Sequence, residues 1–351
     1  MVLGLHADQN VPAGIGAALP FIERGYLGVD FFFLLSGFII THVYQVRLAR
    51  PQGRAFLVFI WHRFIRLYPV HVTILLALVI AVSLARTAGV TLNDPQSWRG
   101  IDVIWQLSLL HAWGVADRPS WNVPSWSISA EWFAYLLFPL LAPILARVRG
   151  RWTALSIAAG ALTAGATLFA LAGWSVNAWV GAPALTRVLS EFVCGAAICR
   201  AVAISRNAGI PLRHSDALGA LSFAAFLICA TLRWPDFALV ALLGLTILGA
   251  ATAAGRFGAI LGSGPFVWLG EVSYSIYMVH FPVLIVLHRV WEQFGFESWG
   301  TGKKLLAFVA TIAVVIALAG ALYYLVERPA RTRLRDRLGI LPPAPVKGAT
   351  T

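Results

Sequence analysis

Charged and hydrogen-bonding side chains are costly in hydrocarbon, so those that interrupt long apolar runs are the first places to look for chemistry. Few do so here. Asp30 stands in GVDFFFLLSGFII, with Ser36 and Gly37 after it. Glu131 lies just over one turn into WSISAEWFAYLLFPLL, and Glu191 falls in a later run beside Cys194. Tyr274, Tyr277 and His280 recur at a spacing of three in EVSYSIYMVHFPV, which puts them on one helix face. His6 closes the short apolar stretch MVLGLH. Each has a structural reading too. Asp30 could cap its helix after Gly28, and Glu131 could pair with an arginine as a first-turn acid. Glu191 reads as a helix–helix contact, and Ser36-Gly37 as a site of close packing. The Tyr277/His280 face could be an aromatic seam.

WHRFIRLYPVHV differs in kind. Arg63 and Arg66 are three apart and project from one face. They could anchor the chain to anionic lipid, or clamp phosphate groups through the bidentate guanidinium fork. Pro69 is expected in the first turn of the span that follows. Cys194, Cys199 and Cys229 show no metal-ligand spacing and read as packing residues, so no metal is expected.

The elements that must carry these residues follow from composition. Of 351 residues, 59% are hydrophobic and 12% charged, against roughly 25% charged in a soluble domain. That excludes disorder, and three cysteines exclude a disulfide scaffold. Nine runs are long and apolar enough to cross a bilayer: 27–46, 68–90, 126–147, 152–174, 186–205, 215–232, 237–254, 271–291 and 304–326. Residues 101–113 are too few to cross and read as an interfacial or re-entrant helix. The fold class is thus all-α, a polytopic transmembrane bundle of nine full spans plus the remnant of a tenth at the N-terminus. The last feature rests on MVLGLH, which reads as the end of a first helix whose beginning is missing. A complete chain would have ten spans and both ends in the cytoplasm.

The net charge of +12 tests that layout. With the loop after the first full span inside, eighteen Lys and Arg fall inside, among them Arg213, Arg337 and Lys347, and nine outside, including Arg187. This is the bias of a multi-pass protein of the inner (plasma) membrane with a cytoplasmic C-terminus. Arginines dispersed over short loops argue against a nucleic-acid partner.

GVDFFFLLSGFII, RFIRLYP, VPSWSISAEWFAYLLFPLL and SYSIYMVHFPV, in this order, resemble the membrane-bound acyltransferase 3 family over about residues 1–330. The resemblance implies a membrane-embedded acyltransferase domain over 1–330, followed by a basic cytoplasmic tail at 331–351. It implies an acyl-CoA donor, usually acetyl-CoA, from the cytoplasm, and a hydroxyl acceptor on an exported or cell-surface glycan or other glycosylated molecule. The family's first helix carries a histidine near its outer end that is taken as catalytic, and His6 matches that position. The arginine that precedes it in the family has no counterpart here.

On this basis His6 is the expected base, histidine suiting that role near neutral pH. Asp30, or Asp8 in the adjoining loop, would orient its imidazole by triad logic. Arg63, Arg66 and Tyr68 would hold the CoA. Trp126, Ser127 and Glu131 would line the acceptor side, and Tyr277 and His280 the central cavity. Direct transfer is favoured over an acyl-enzyme, since no nucleophile signature such as GxSxG occurs. The alternative is a transporter or flippase for a glycan or lipid. It calls for internal repeats with broken helices, and none is found between the halves.

Overall fold

The computed structural model describes residues 1–11, 14–50, 53–92, 94–210 and 214–335. Among these, nine long helices coincide with the nine apolar runs. They are α2 (Gly28–Leu48), α3 (Gly53–Thr87), α5 (Trp126–Arg147), α6 (Arg151–Ala172), α7 (Ala182–Asn207), α8 (Ser215–Thr231), α9 (Asp236–Ala250), α10 (Gly264–Gln293) and α11 (Thr301–Leu322). Before them comes α1 (Val2–Asn10), and between α3 and α5 the short α4 (Gly100–Leu107). The protein is a multi-pass helical membrane bundle. Seven of its helices are long and apolar enough to cross by themselves, whereas α8 and α9 are shorter, at 17 and 15 residues. Leu140, Leu171, Leu306 and Leu325 are exposed on the bundle's outside, as suits a surface that meets lipid rather than water.

Three features depart from the expected layout. First, Pro69 does not open a helix. α3 runs unbroken for 35 residues through it, so Arg63 and Arg66 sit within the same helix as the following span. Second, the helix expected over 101–113 stops at Leu107. Leu109 then takes a left-handed conformation (φ 57°), and the chain turns inward as a buried loop, with Leu109 and Ala112 sealed from solvent. Side chains satisfy its backbone: Ser129 Oγ donates to the carbonyl of Leu109 at 2.7 Å and accepts from the N–H of Ala112 at 3.0 Å. Third, α11 continues through a π-helical turn at Tyr323–Glu327 into α12 (Arg328–Arg335), which packs on α3. Arg331–Arg335 thus continue the last span. Residues 336–351, with Arg337 and Lys347, lie outside the described residues, as does Arg213.

Small residues set the closest crossing. A Cβ on Gly37 would collide with the carbonyl of Phe192, and one on Gly195 with the carbonyl of Leu34. Gly37 thus serves packing, as its sequence reading held, and α2 and α7 touch backbone to backbone. Gly195→Ala is expected to cost about 1–3 kcal/mol, the usual penalty of overpacking. The measurement is the thermal unfolding midpoint in detergent, and an unchanged midpoint would contradict the close crossing.

Candidate active site

At one end of the bundle α2, α3, the π turn and α12 enclose a cavity of about 370 Å³, lined by Tyr44, His62, Arg63, Arg66, Tyr323, Arg328, Arg331 and Arg335. Five guanidinium groups face it. Glu327 partly compensates them. It is 1% exposed, forms an ion pair with Arg66, lies 3.5 Å from Arg331 and accepts Ser275 Oγ at 2.7 Å. The π turn brings this carboxylate there, such turns being frequent at functional sites. The Arg63 guanidinium lies over the rings of Tyr44 (5.4 Å) and Tyr135 (5.9 Å), and its Nε is buried with no hydrogen-bond partner. Arg66 lies over the Tyr274 ring at 5.1 Å.

Arg63 and Arg66 also line a second cavity of about 430 Å³, deeper in the bundle. Its walls are phenylalanine and aliphatic side chains from α2, broken by Ser36, Ser127, Glu131, Tyr135, Tyr274 and Tyr277. Tyr135 donates to Glu131 at 2.5 Å and shares a 3.1 Å hydrogen bond with Ser36. Tyr274 donates to the carbonyl of Leu67 at 2.6 Å. Ser127 Oγ donates to the Tyr277 hydroxyl, which itself donates to the carbonyl of Pro124, both at 2.8 Å. The polar groups on this wall are therefore held by fixed partners.

Tyr277 links this cavity to a histidine pair. His280 Nδ1 lies 2.5 Å from the Tyr277 carbonyl, and His280 Nε2 lies 2.8 Å from His6 Nδ1. The two imidazoles lie edge to edge and nearly coplanar, with centroids 5.1 Å apart and planes 7° from parallel. α1 packs on α10 and α11, which is what carries His6 there. Pro282 shapes the seat. It has no N–H for the carbonyl of Met278, and Asn122 Nδ2 donates to that oxygen instead, at 3.0 Å.

Other expected site residues go elsewhere. Asp30 does not meet His6. Arg187 holds it in a bidentate pair, Nε to Oδ1 at 2.7 Å and Nη2 to Oδ2 at 2.5 Å, with both residues 2% exposed. Asp8 is likewise committed, accepting the backbone N–H groups of Ile15 (3.1 Å) and Gly16 (2.9 Å). Trp126 packs under the Arg187 guanidinium at 5.5 Å, not on the cavity wall. Tyr68 lies two residues past Arg66, on the other side of α3, where it stacks on Phe64 at 4.3 Å. Glu191 belongs to the buried cluster around Arg187, 3.9 Å away.

Arg187 is not a loop arginine of the outer side: it falls inside the apolar run 186–205, four residues before Glu191, and that spacing is its signal in the sequence. Glu327, Arg331 and Arg335 gave none, because the π turn and the docking of α12 are long-range outcomes. Gln106, His111 and Ser125 tie the buried loop together. Ser125 donates to Gln106 Oε1 at 2.8 Å, and His111 Nε2 lies 3.1 Å from Ser125 Oγ. His111 is 3% exposed and acts as a loop tie.

The arginine-lined cavity thus shares Arg63 and Arg66 with a second, largely apolar cavity, and Tyr277 on that second wall touches the histidine pair, which lines neither. Comparison with known proteins supplies the rest. Residues 1–324 match the family model of the acyltransferase-3 type, described as an acyltransferase domain. The chain belongs to that family and is a membrane acyltransferase. It is 32% identical over 357 residues to the acyltransferase MdmB of Streptomyces mycarofaciens, covering 94% of this chain and 86% of that protein. It is 24% identical to the peptidoglycan O-acetyltransferase OatA of Listeria monocytogenes and 22% identical to the O-acetyltransferase OatA of Staphylococcus aureus. Those alignments cover 88% and 92% of this chain, which spans about half the length of each of the two proteins. No solved structure matches.

Proposed function

We propose that this protein is an O-acyltransferase of the inner membrane. It takes an acyl group, acetyl in the simplest case, from acyl-CoA at the arginine-lined end. It passes the group to a hydroxyl on an exported or cell-surface glycan or other glycosylated acceptor entering from the opposite side. The observation that carries this is the junction of the two cavities at Arg63 and Arg66. Five guanidinium groups and one carboxylate suit the diphosphate and the phosphomonoester of CoA, because arginine binds phosphate bidentately. The narrower arm of the donor would pass between Arg63 and Arg66 into the chamber that Tyr277 closes. On this reading the arginine-lined end and the C-terminus are cytoplasmic, in line with the positive-inside bias.

The chemistry asks little of the chain. His6 takes the acceptor's hydroxyl proton as its oxygen attacks the thioester carbonyl carbon. The tetrahedral intermediate collapses, the C–S bond breaks, and the imidazolium returns the proton to the departing thiolate. Ser127, Glu131, Tyr135 and Tyr277 shape the chamber between donor and base. The test uses membranes holding the full protein, labelled acetyl-CoA and a panel of glycosylated acceptors. Label should move to an acceptor hydroxyl. No transfer from any acyl-CoA, with substrate crossing sealed vesicles, would favour the transport reading instead.

Arg63 offers a separate check. It has no carboxylate partner among the described residues, so removing it leaves no counter-charge stranded. Arg63→Ala should raise KM for acyl-CoA about 10–100-fold, the loss of one or two charge-assisted hydrogen bonds, with the acceptor KM little changed. Unchanged dependence on acyl-CoA would return Arg63 to lipid anchoring.

A further inference from the structure

We infer that His280 is a positioning residue that fixes the tautomer of His6, holding the proton on Nδ1 and leaving Nε2 bare as the base. The inference rests on the reading of His6 as the group that accepts the hydroxyl proton, and it extends that reading. The proton positions follow from the hydrogen-bond network. A carbonyl oxygen can only accept, so the 2.5 Å contact between His280 Nδ1 and the Tyr277 carbonyl requires a proton on Nδ1. A neutral imidazole carries one N–H, so His280 Nε2 is then an acceptor. His6 Nδ1, 2.8 Å away, must donate to it. The proton of neutral His6 is thereby spent on Nδ1, and its lone pair is at Nε2. Among the described residues nothing hydrogen-bonds to His6 Nε2, and that atom is not among the sealed, unpartnered ones.

The geometry is built to last. His280 is completely buried, and its ring meets His6 edge to edge in nearly one plane and packs tilted against Tyr277, with centroids 5.1 and 5.6 Å away. The helix around it is fixed by Asn122 at the Met278 carbonyl. A carboxylate partner would do the same work while stabilising an imidazolium. Here the two aspartates near the start of the chain, Asp8 and Asp30, are engaged elsewhere. A neutral acceptor orients the base without adding a charge inside the membrane.

The test pairs a spectroscopic readout with kinetics on the full chain. In protein carrying ¹⁵N-histidine, the His6 resonances, assigned by difference with His6→Gln, should show a bare Nε2 and a protonated Nδ1. His280→Leu removes the acceptor and should lower kcat about 100–1,000-fold with both KM values nearly unchanged, comparable in kind to the loss when a base is left in the wrong tautomer. His280→Gln returns a carbonyl acceptor at the same reach and should recover kcat to within about tenfold of the wild type. A proton found on His6 Nε2 overturns the inference, as does a His280→Leu enzyme that turns over like the wild type or is no slower than His280→Gln. If the leucine variant does not fold, the ¹⁵N measurement on the wild type still decides. The two readings fail separately. A bare Nε2 together with an active His6→Ala enzyme would sink the assignment of the base but not the tautomer. An inactive His6→Ala enzyme whose Nε2 carries the proton would do the reverse.

Discussion

Replacing His6 by alanine is expected to abolish acyl transfer, with kcat falling about 10³-fold or more while the protein still folds and acyl-CoA still binds. Loss of a general base ordinarily removes 10²–10⁴-fold in rate. Here no second group stands ready to take over. His280 faces His6 through Nε2, its Nδ1 is held by a carbonyl, and it is fully buried. Asp8 and Asp30 are both committed to other partners. The chamber's own carboxylate, Glu131, is held by Tyr135. Folding should survive because His6 is only partly buried and forms one side-chain hydrogen bond to the bundle, whereas Ala7 beside it sits in the apolar packing with Leu284 and Val315. The measurement is single-turnover transfer from labelled acetyl-CoA. A near-normal rate in His6→Ala would remove this residue from the chemistry.

The second large effect concerns stability. Arg187→Met should lower folding stability by about 3–5 kcal/mol, because breaking a buried ion pair strands the remaining charge. The stranded group is Asp30, 2% exposed and held by two short bonds to Arg187. Arg187 also donates to the carbonyl of Val176 at 2.7 Å, so the loop before α7 should loosen as well. The double variant Asp30→Asn/Arg187→Met should recover much of the loss, since a neutral pair of similar volume can replace an ionic one. Thermal unfolding of the detergent-solubilised protein reads both. If the single variant melts like the wild type, or the double melts lower than the single, the pair does not carry the stability assigned to it.

How much of this was legible beforehand differs by residue. The arginine pair was, because Arg63 and Arg66 share a helix face through local spacing alone, and both prove to line the two cavities. Ser127, Glu131 and Tyr277 line the second cavity, whereas His280, expected there with Tyr277, does not, because its ring is turned to His6. Tyr68 and Trp126 do not, because near neighbours on a helix point to different sides. Asp30 stands out in the sequence by its cost in hydrocarbon, but its partner is Arg187 and not His6. Arg187 is 157 positions away, and nothing in the sequence indicates that α2 and α7 meet at Gly37 and Gly195 closely enough to bring them together.

The sequence by itself determined the membrane class, the nine apolar runs that become helices, and the family resemblance. These depend on runs of apolar residues, on charge beside their ends and on short motifs, all written within one segment at a time. The tertiary structure alone decided who faces whom. His6 meets His280 across 274 positions, Arg66 meets Glu327 through a π turn, and Asp30 is claimed by Arg187. Inside a membrane, burying apolar surface hardly distinguishes one helix neighbour from another, since lipid tails are as apolar as leucine. Partner choice falls to close backbone packing and to the few polar groups that must satisfy one another, and those pairings exist only once the helices have been brought together.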